Sequence, residues 1–506
     1  MTESRAKHAF SNMLWGIINK IISIVGPFLI RSLMIKKMGG DYAGLSSLFT
    51  SILQVLNLAE LGISSAIVFS MYEPIAYDDN DKICALYNFY KKAYWIIGTI
   101  ILTIGIILIP FVPKFVTGNI PNGINLSILY LIYLVNTVIS YFMFGYKESL
   151  LTAYQHSDIV SNILTVSNIL LYVMQTFFIL VIPDYYLYSI MLPLSTVLAN
   201  ILKSIVVDKL YPTIKCVGKL SKSEREELYK KIIGLMIYKI SQVFRNSFDS
   251  IILSMFLGLL AVTKYQNYYY IMNALAAVLA ILSNSIVAGI GNSVATETVN
   301  KNRCDFNTFY ILYNWLSGWC TICLLCLYQD FIKLWLGEKY VLSNTIVYLC
   351  CIYFYSMRVG DIAAVYRQAV GLWWEDKLRP IIESVTNLLM NILVVKYFGM
   401  AGVLVSTIIT VIFINIPWAS YILFKVYFKT SVMEYYINII WNTFVVLFVA
   451  IITTLICNFI SYEGTLAIML KMIICLVVPN VLFFSCYVKS PEFETGKKLI
   501  IKMLKR

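Results

Sequence analysis

A small set of ionisable side chains interrupts stretches of sequence otherwise built from Ile, Leu, Val and Phe: Lys20, Arg31, Glu60, Lys203, Lys239, Arg245, Asp249, Arg358, Asp361 and Lys471. At the centre of a lipid-inserted helix a cation costs roughly 2.5–3.5 kcal/mol, against about 0.3–0.6 kcal/mol returned by each Leu, Ile or Phe. Such charges therefore mark sites unless they are paired or reach the interface. Lys20 and Arg31 are eleven positions apart, close to three helical turns, and share a face. Gly26 and Pro27 fall between them and predict a hinge near mid-depth. Gln242, Arg245 and Asp249 form one stripe at i, i+3 and i+7, in which Arg245 and Asp249 either pair or act separately. Arg358 and Asp361, three apart, pose the same choice. Lys203 and Lys471 lie near helix ends and are read as snorkelling to the interface, an alternative open to Lys20 and Lys239 as well. Cations facing a shared cavity would make it positive, and the planar guanidinium fork suits phosphate. Arg31, Arg245, Lys20, Lys239 and Arg358 are thus candidate binding residues for an anionic, phosphate-bearing lipid or solute. Asp249, Glu60 and Asp361 are candidates for ion coupling or ion pairing.

The elements that must hold these residues are helices in a membrane. Of the 506 residues 59% are apolar and only 13% charged, with a mean hydropathy of +0.77; a soluble chain carries nearer a quarter charged. The composition predicts an all-α polytopic membrane protein of about fourteen spans, by windows of about 20 apolar residues. The windows run from 13–35 to 464–487 and include 44–70, 232–258, 265–291, 343–366, 380–398 and 401–424. No small-residue cleavage site follows a short apolar core, so no removed signal peptide is expected. Most of the 40 Lys and Arg residues fall on one side when the N-terminus is inside, which predicts both termini in the cytoplasm. The basic linker 208–231 divides six spans from eight. Aligning Lys20 with Lys239 puts Gly39 on Gly258 without a gap. Six spans separate the two copies, so a duplication would be parallel, about an axis along the membrane normal. The net charge of +13 follows from this asymmetry and from attraction to anionic lipid, and needs no nucleic-acid partner.

Other signals are set aside. "CTICLLC" carries Cys320, Cys323 and Cys326 at an iron–sulfur-like spacing, but mid-span and without a fourth ligand in a loop. Only two histidines, His8 and His156, are present, so no histidine metal or acid–base site is expected. "DDND" (78–81) lacks the Gly and distal Glu of a calcium loop, and no nucleotide-binding P-loop occurs. No metal and no cofactor is expected; an ion gradient or the membrane potential would supply energy. The tyrosines of "YQNYYYIM" (265–272) are read as an interfacial belt in preference to a sugar-stacking surface.

Three longer stretches carry a resemblance. "LNLAELGISSAIVFSMYEPIAYDDNDKICALYNFYKKAY" (56–94), "FDSIILSMFLGLLAVTKYQNYYYIM" (248–272, with Asp249, Gly258 and Tyr265) and "YRQAVGLWWEDKLRPIIESVTNLLMNILVVKYFGMAGVLVSTII" (366–409, with Gly371, Pro380, Asn387, Gly399 and Gly402) resemble corresponding segments of the oligosaccharide and capsular repeat-unit flippases. These belong to the multidrug, oligosaccharidyl-lipid and polysaccharide (MOP) exporter superfamily, and the likeness runs from about residue 10 to residue 430 in order and spacing. The resemblance implies two six-helix lobes around a central cavity, here 1–207 and 232–424 joined by 208–231, then two further spans (425–488) and a basic tail (489–506). It also implies a non-enzymatic flippase of the bacterial cytoplasmic membrane. Its cargo would be undecaprenyl-pyrophosphate-linked oligosaccharide, moved to the outer leaflet by alternating access for capsule or surface polysaccharide. The expected partners are that lipid, membrane lipids and a polymerase of the same pathway, with the chain a monomer. Two other functions compete: a multidrug exporter of the same fold, whose cationic cargo would favour acids, and a membrane glycosyltransferase or polymerase. The latter usually needs a large outer catalytic loop, whereas the longest outer connections are 113–124 and 329–342.

Overall fold

A computed structural model describes residues 2–504 except 61, 119, 373, 461 and 463. Side chains are not described for 1–14, 17, 58, 59, 231, 234, 235, 237–242, 244–246, 284, 285, 288 and 499–506. The described chain is helical throughout, with no sheet, and forms two compact units, Met1–Thr263 and Lys264–Arg506.

The first unit holds α1 (Thr2–Lys37), α2 (Gly40–Leu56), α3 (Ile63–Ala76), α4 (Asn80–Leu108), α5 (Leu126–Phe142), α6 (Glu148–Ala153), α7 (Ser157–Leu180), α8 (Tyr185–Leu210), α9 (Lys222–Leu257) and the first residues of α10 (Leu259–Thr296). Helix α9 packs along α2 and α3, and the first compact unit ends at Thr263. The second unit continues with α11 (Val299–Leu336), α12 (Asn344–Val359), α13 (Asp361–Val370), α14 (Leu378–Thr410), α15 (Ile416–Ile422), α16 (Met433–Asn458), α17 (Thr465–Tyr487) and α18 (Pro491–Leu504).

Among the described residues nine helical stretches are long and apolar enough to cross a membrane, or ten if Leu126–Phe142 and Gly145–Ala153, bent by 51°, form one span. The difference from about fourteen windows has local causes. Window 44–70 is split between α2 and α3 by a 3-10 turn, Asn57–Glu60. Windows 232–258 and 265–291 fall partly on residues whose side chains are not described. Windows 380–398 and 401–424 join into one run, Leu378–Phe428. That run is a hairpin. Gly399 adopts φ 55, ψ −136, a conformation open to glycine for want of a Cβ. Asn387 Nδ2 then reaches Thr407 Oγ1 (3.0 Å), and Asn415 Nδ2 reaches Glu383 Oε2 (2.7 Å), pairs lying almost symmetrically about the bend.

Outward faces are apolar and inward faces small or polar, as lipid requires. On α16 Trp441, Phe444, Phe448 and Leu455 are exposed while Val446, Val449 and Thr453 are buried. Thr453 returns its hydroxyl to the carbonyl of Val449 (2.8 Å). The tyrosines at 265, 268 and 269 are buried rather than belted at an interface, and Tyr268 donates to Gln329 Oε1 (2.7 Å). The "DDND" run is a helix start: Asp79 caps α4 through the amide of Lys82 (3.0 Å). Helix α1 continues unbroken through Pro27, and a Cβ at Gly26 would meet the Tyr172 ring at 2.1 Å, so this glycine lets α7 approach. Gly39 (φ 114, ψ 165) and Gly258 (φ 84, ψ 174), aligned by the sequence reading, each follow a 36-residue helix in closely similar extended, positive-φ conformations. A parallel repeat would give this local geometry.

Two polar devices generate predictions. Pro479 in α17 cannot donate to the carbonyl of Cys475, and the indole of Trp319 donates to it instead (2.7 Å). Trp319→Phe should lower stability by about 1–3 kcal/mol by orphaning that carbonyl, and adding Pro479→Ala should recover part of the loss; thermal unfolding of purified protein measures both. At the start of α9, outside the apolar stretches, Ser221 and Glu224 form a capping box, with the Ser221 amide 2.9 Å and its hydroxyl 2.8 Å from Glu224 Oε2. These bonds, aided by Lys82, hold the carboxyl below its usual range. A lowered folded-state pKa means that the contribution is complete above the unfolded value of about 4.3 and is lost as pH falls through the lowered one. Amide protection in the first turn of α9 should fall only in that acid window, and Glu224→Gln should abolish the dependence.

Candidate functional site

In an apolar helix a guanidinium must find acceptors, and Arg31 finds them inside the first unit. Its Nη1 donates to Ser47 Oγ (3.1 Å) on α2 and its Nη2 to the carbonyl of Thr263 (3.3 Å) near the start of α10. Thr263 in turn donates through Oγ1 to the carbonyl of Gly40 (2.6 Å), locking the start of α2 to α10. These bonds tie α1 to α2 and to the first residues of α10. Lys20, on the same helix, is exposed. Lys239 and Arg245 lie on α9, but their side chains fall outside the described residues, as does that of Gln242; Asp249, one turn further on, is buried (1% exposed).

The other predicted charges are tied down. Arg358 Nη1 meets Asp361 Oδ2 at 2.9 Å, and Tyr313 donates to the same oxygen (2.5 Å). Lys203 does not snorkel: it is buried against Glu148 (2.8 Å). Lys471 likewise reaches Asp330 (2.5 Å). Glu60 differs from these, because its carboxylate is held by tyrosines. Tyr94 donates to Oε1 (2.7 Å), Tyr141 donates to Oε2, and Tyr90 donates to Tyr94 (2.9 Å). No ion pair with a described residue accompanies these bonds. A carboxylate held by neutral donors inside a bundle can exchange a proton or small cation without first breaking a salt bridge.

Two clusters escaped the sequence reading. Arg367, Asp376, Arg379 and Glu383 form a buried network in the second unit. Arg379 grips Asp376 with two bonds (Nε and Nη2, both 2.7 Å) and Glu383 with a third (3.0 Å), and Arg367 joins at Asp376. The i, i+3 and i, i+4 spacing of "EDKLRPIIES" was its visible signal. The second cluster gathers Cys326, Cys457 and Cys475 from α11, α16 and α17, their sulfurs within 4.8 Å of one another. Of the "CTICLLC" cysteines only Cys326 belongs to this trio. Three soft ligands at that separation approach the geometry of a thiolate metal site. No spacing rule could have joined residues so far apart in sequence.

With the geometry in hand, the fold can be compared. The lipid II flippase MurJ in an inward closed conformation superposes with a TM-score of 0.70 at 15% identity, over 94% of this chain and 99% of that one. An inward-facing multidrug resistance MATE family transporter of the MOP superfamily gives 0.62 at 12%, over 83% and 93%. A MOP superfamily transporter from Pyrococcus furiosus, described as having a binding pocket of reverse polarity, gives 0.54 at 12%, over 84% and 97%. At these identities the likeness shows a shared fold. No family model and no curated protein sequence matches the chain.

The buried network makes a stability prediction. Arg379→Met leaves Asp376 and Glu383 short of their shared cation and should cost about 3–5 kcal/mol. Adding Glu383→Gln should restore part of it, and Lys498→Met, in an exposed pair on α18, should change nothing measurable in the same unfolding assay.

Proposed function

We propose that this chain is a flippase that carries undecaprenyl-pyrophosphate-linked oligosaccharide repeat units from the inner to the outer leaflet of the bacterial cytoplasmic membrane. It works by alternating access through a cationic cavity, with fourteen spans, cytoplasmic termini and a polymerase downstream. The observation that carries the reading is Arg31. Its guanidinium brings a positive charge and a planar fork of donors into the apolar run of α1. A pyrophosphate is the ligand that such a field and fork suit. Arg245, Lys20 and Lys239 add to the field, and Arg358 contributes when its pair with Asp361 opens. Gly26 and Pro27 supply the hinge of α1. The shared fold with a lipid II flippase supports the reading, as do the twin glycines Gly39 and Gly258 expected of parallel repeats.

A second reading, a multidrug exporter, draws on one observation: the Glu60 carboxylate held by tyrosines, which suits a cationic solute or a coupling ion. Glu60 serves the first reading equally as an ion-coupling group, together with Asp249.

One experiment separates the two. In a strain lacking its own repeat-unit flippase, the wild-type chain should restore surface polysaccharide for a matching repeat unit. Arg31→Ala should lower that restoration at least about tenfold, the loss of one charge-assisted contact of about 1.5–3 kcal/mol, at equal membrane abundance; Arg31→Lys should keep part of it. Full restoration by Arg31→Ala would remove Arg31 from the site, and drug tolerance without rescue by the wild-type chain would favour the exporter.

A further inference from the structure

A pocket of about 690 Å³ opens in the first unit, away from Arg31, where α4, the linker and the first turns of α9 meet. Its polar wall carries Lys92, Lys219 and Arg225, and no acid lines it among the described residues. None of the three cations has a described partner; of the two acids flanking Arg225 in sequence, Glu224 is committed to Ser221 and Lys82, and neither it nor Glu226 lines the pocket. The remaining wall is apolar, with Phe89, Ile96 and Ile232. The linker is not a loose flap over this space. Asn88 Nδ2 donates to the carbonyl of Gly218 (2.8 Å), the amide of Lys215 meets Cys84 Sγ (3.3 Å), and the capping box with Lys82 fixes the start of α9 against that of α4. The cations are therefore presented from a fixed frame.

We infer that this pocket binds the headgroup of an anionic glycerophospholipid. The phosphate sits among Lys92, Lys219 and Arg225, and the glycerol and first methylenes run along α4 toward Ile96, which is 61% exposed on the outer surface of that helix. Charge selects an anion, because three cations without a counter-charge in the pocket wall attract one near a membrane surface. The apolar wall selects a lipid over a free anion, since bare phosphate would fill little of the volume and leave Phe89 and Ile232 against water. The site is separate from the cargo path proposed above and does not depend on it.

The test uses the purified full chain in bilayer discs of phosphatidylcholine, with bound lipid counted by native mass spectrometry as phosphatidylglycerol is added. Phosphatidylglycerol should be retained at least about tenfold over phosphatidylcholine. The triple variant Lys92→Gln, Lys219→Gln, Arg225→Gln should erase that preference with unfolding temperature unchanged. A matched triple variant at exposed lysines of the second unit, Lys429→Gln, Lys489→Gln and Lys498→Gln, should keep it. Equal loss in both variants would reduce the preference to general surface charge and overturn the inference. Displacement of phosphatidylglycerol by equimolar inorganic phosphate or pyrophosphate would overturn it too, by making the pocket a soluble-anion site. Retention of a prenyl pyrophosphate with no retention of phosphatidylglycerol would assign the pocket to cargo, and the inference would again fall. Flippase activity is not read, so this outcome and that of the proposed function remain distinguishable.

Discussion

Hydrocarbon cannot solvate a charge, and the arrangement of the helices answers to that constraint before any other. Several described cations in or near apolar stretches are drawn to an oxygen within their own unit: Lys147 to Asp208 and Ser204, Lys203 to Glu148, Lys471 to Asp330, Arg358 to Asp361. These pairs fasten helices to one another, and removing one member would strand the other in a medium that tolerates it poorly. Glu60 stands apart because its described partners are neutral. A pair spends its field on itself; a carboxylate held by tyrosines keeps its field for something else. That contrast separates fastening charges from candidate working charges.

The same constraint governs the backbone. Where Pro479 withdraws a donor, an indole from another helix replaces it, and where threonine or serine hydroxyls are buried they return to the carbonyl one turn back. Cavities lined by unpaired charge are then informative. One such cavity lies in the frame around Gly218, where Lys92, Lys219 and Arg225 line the wall and no acid does among the described residues.

What could be read from the sequence was whatever depends on short range. Apolar windows gave the helical membrane architecture, and the i, i+3 spacing of Arg358 and Asp361 anticipated their contact. The alignment of Gly39 with Gly258 found two glycines of like conformation. Long-range pairing was not legible. Lys203 and Lys471 were read as snorkelling because nothing in one sequence says that Glu148 and Asp330, 55 and 141 positions away, lie opposite them. The tyrosines of 265–269 look like a belt when only their number is known, and like packing once neighbouring helices bury them. The thiol trio needed three helices to meet. The side chains of Lys239 and Arg245 lie outside the described residues.

The chain doubles back at Gly399 (φ 55, ψ −136) between two helical arms. An antiparallel helix pair normally turns through several residues of irregular chain, and that slack is where proteases cut and where inserted tags are accepted. Here the reversal is made by a single residue, with Asn387 and Thr407 already hydrogen-bonded a few turns away. The two arms therefore have no play between them: a push on one is a push on the other. Topology reporters and cleavage sites belong in an exposed connection such as that at Asn122 and Gly123, and the arms on either side of Gly399 are better thought of as a stiff lever than as two independent rods.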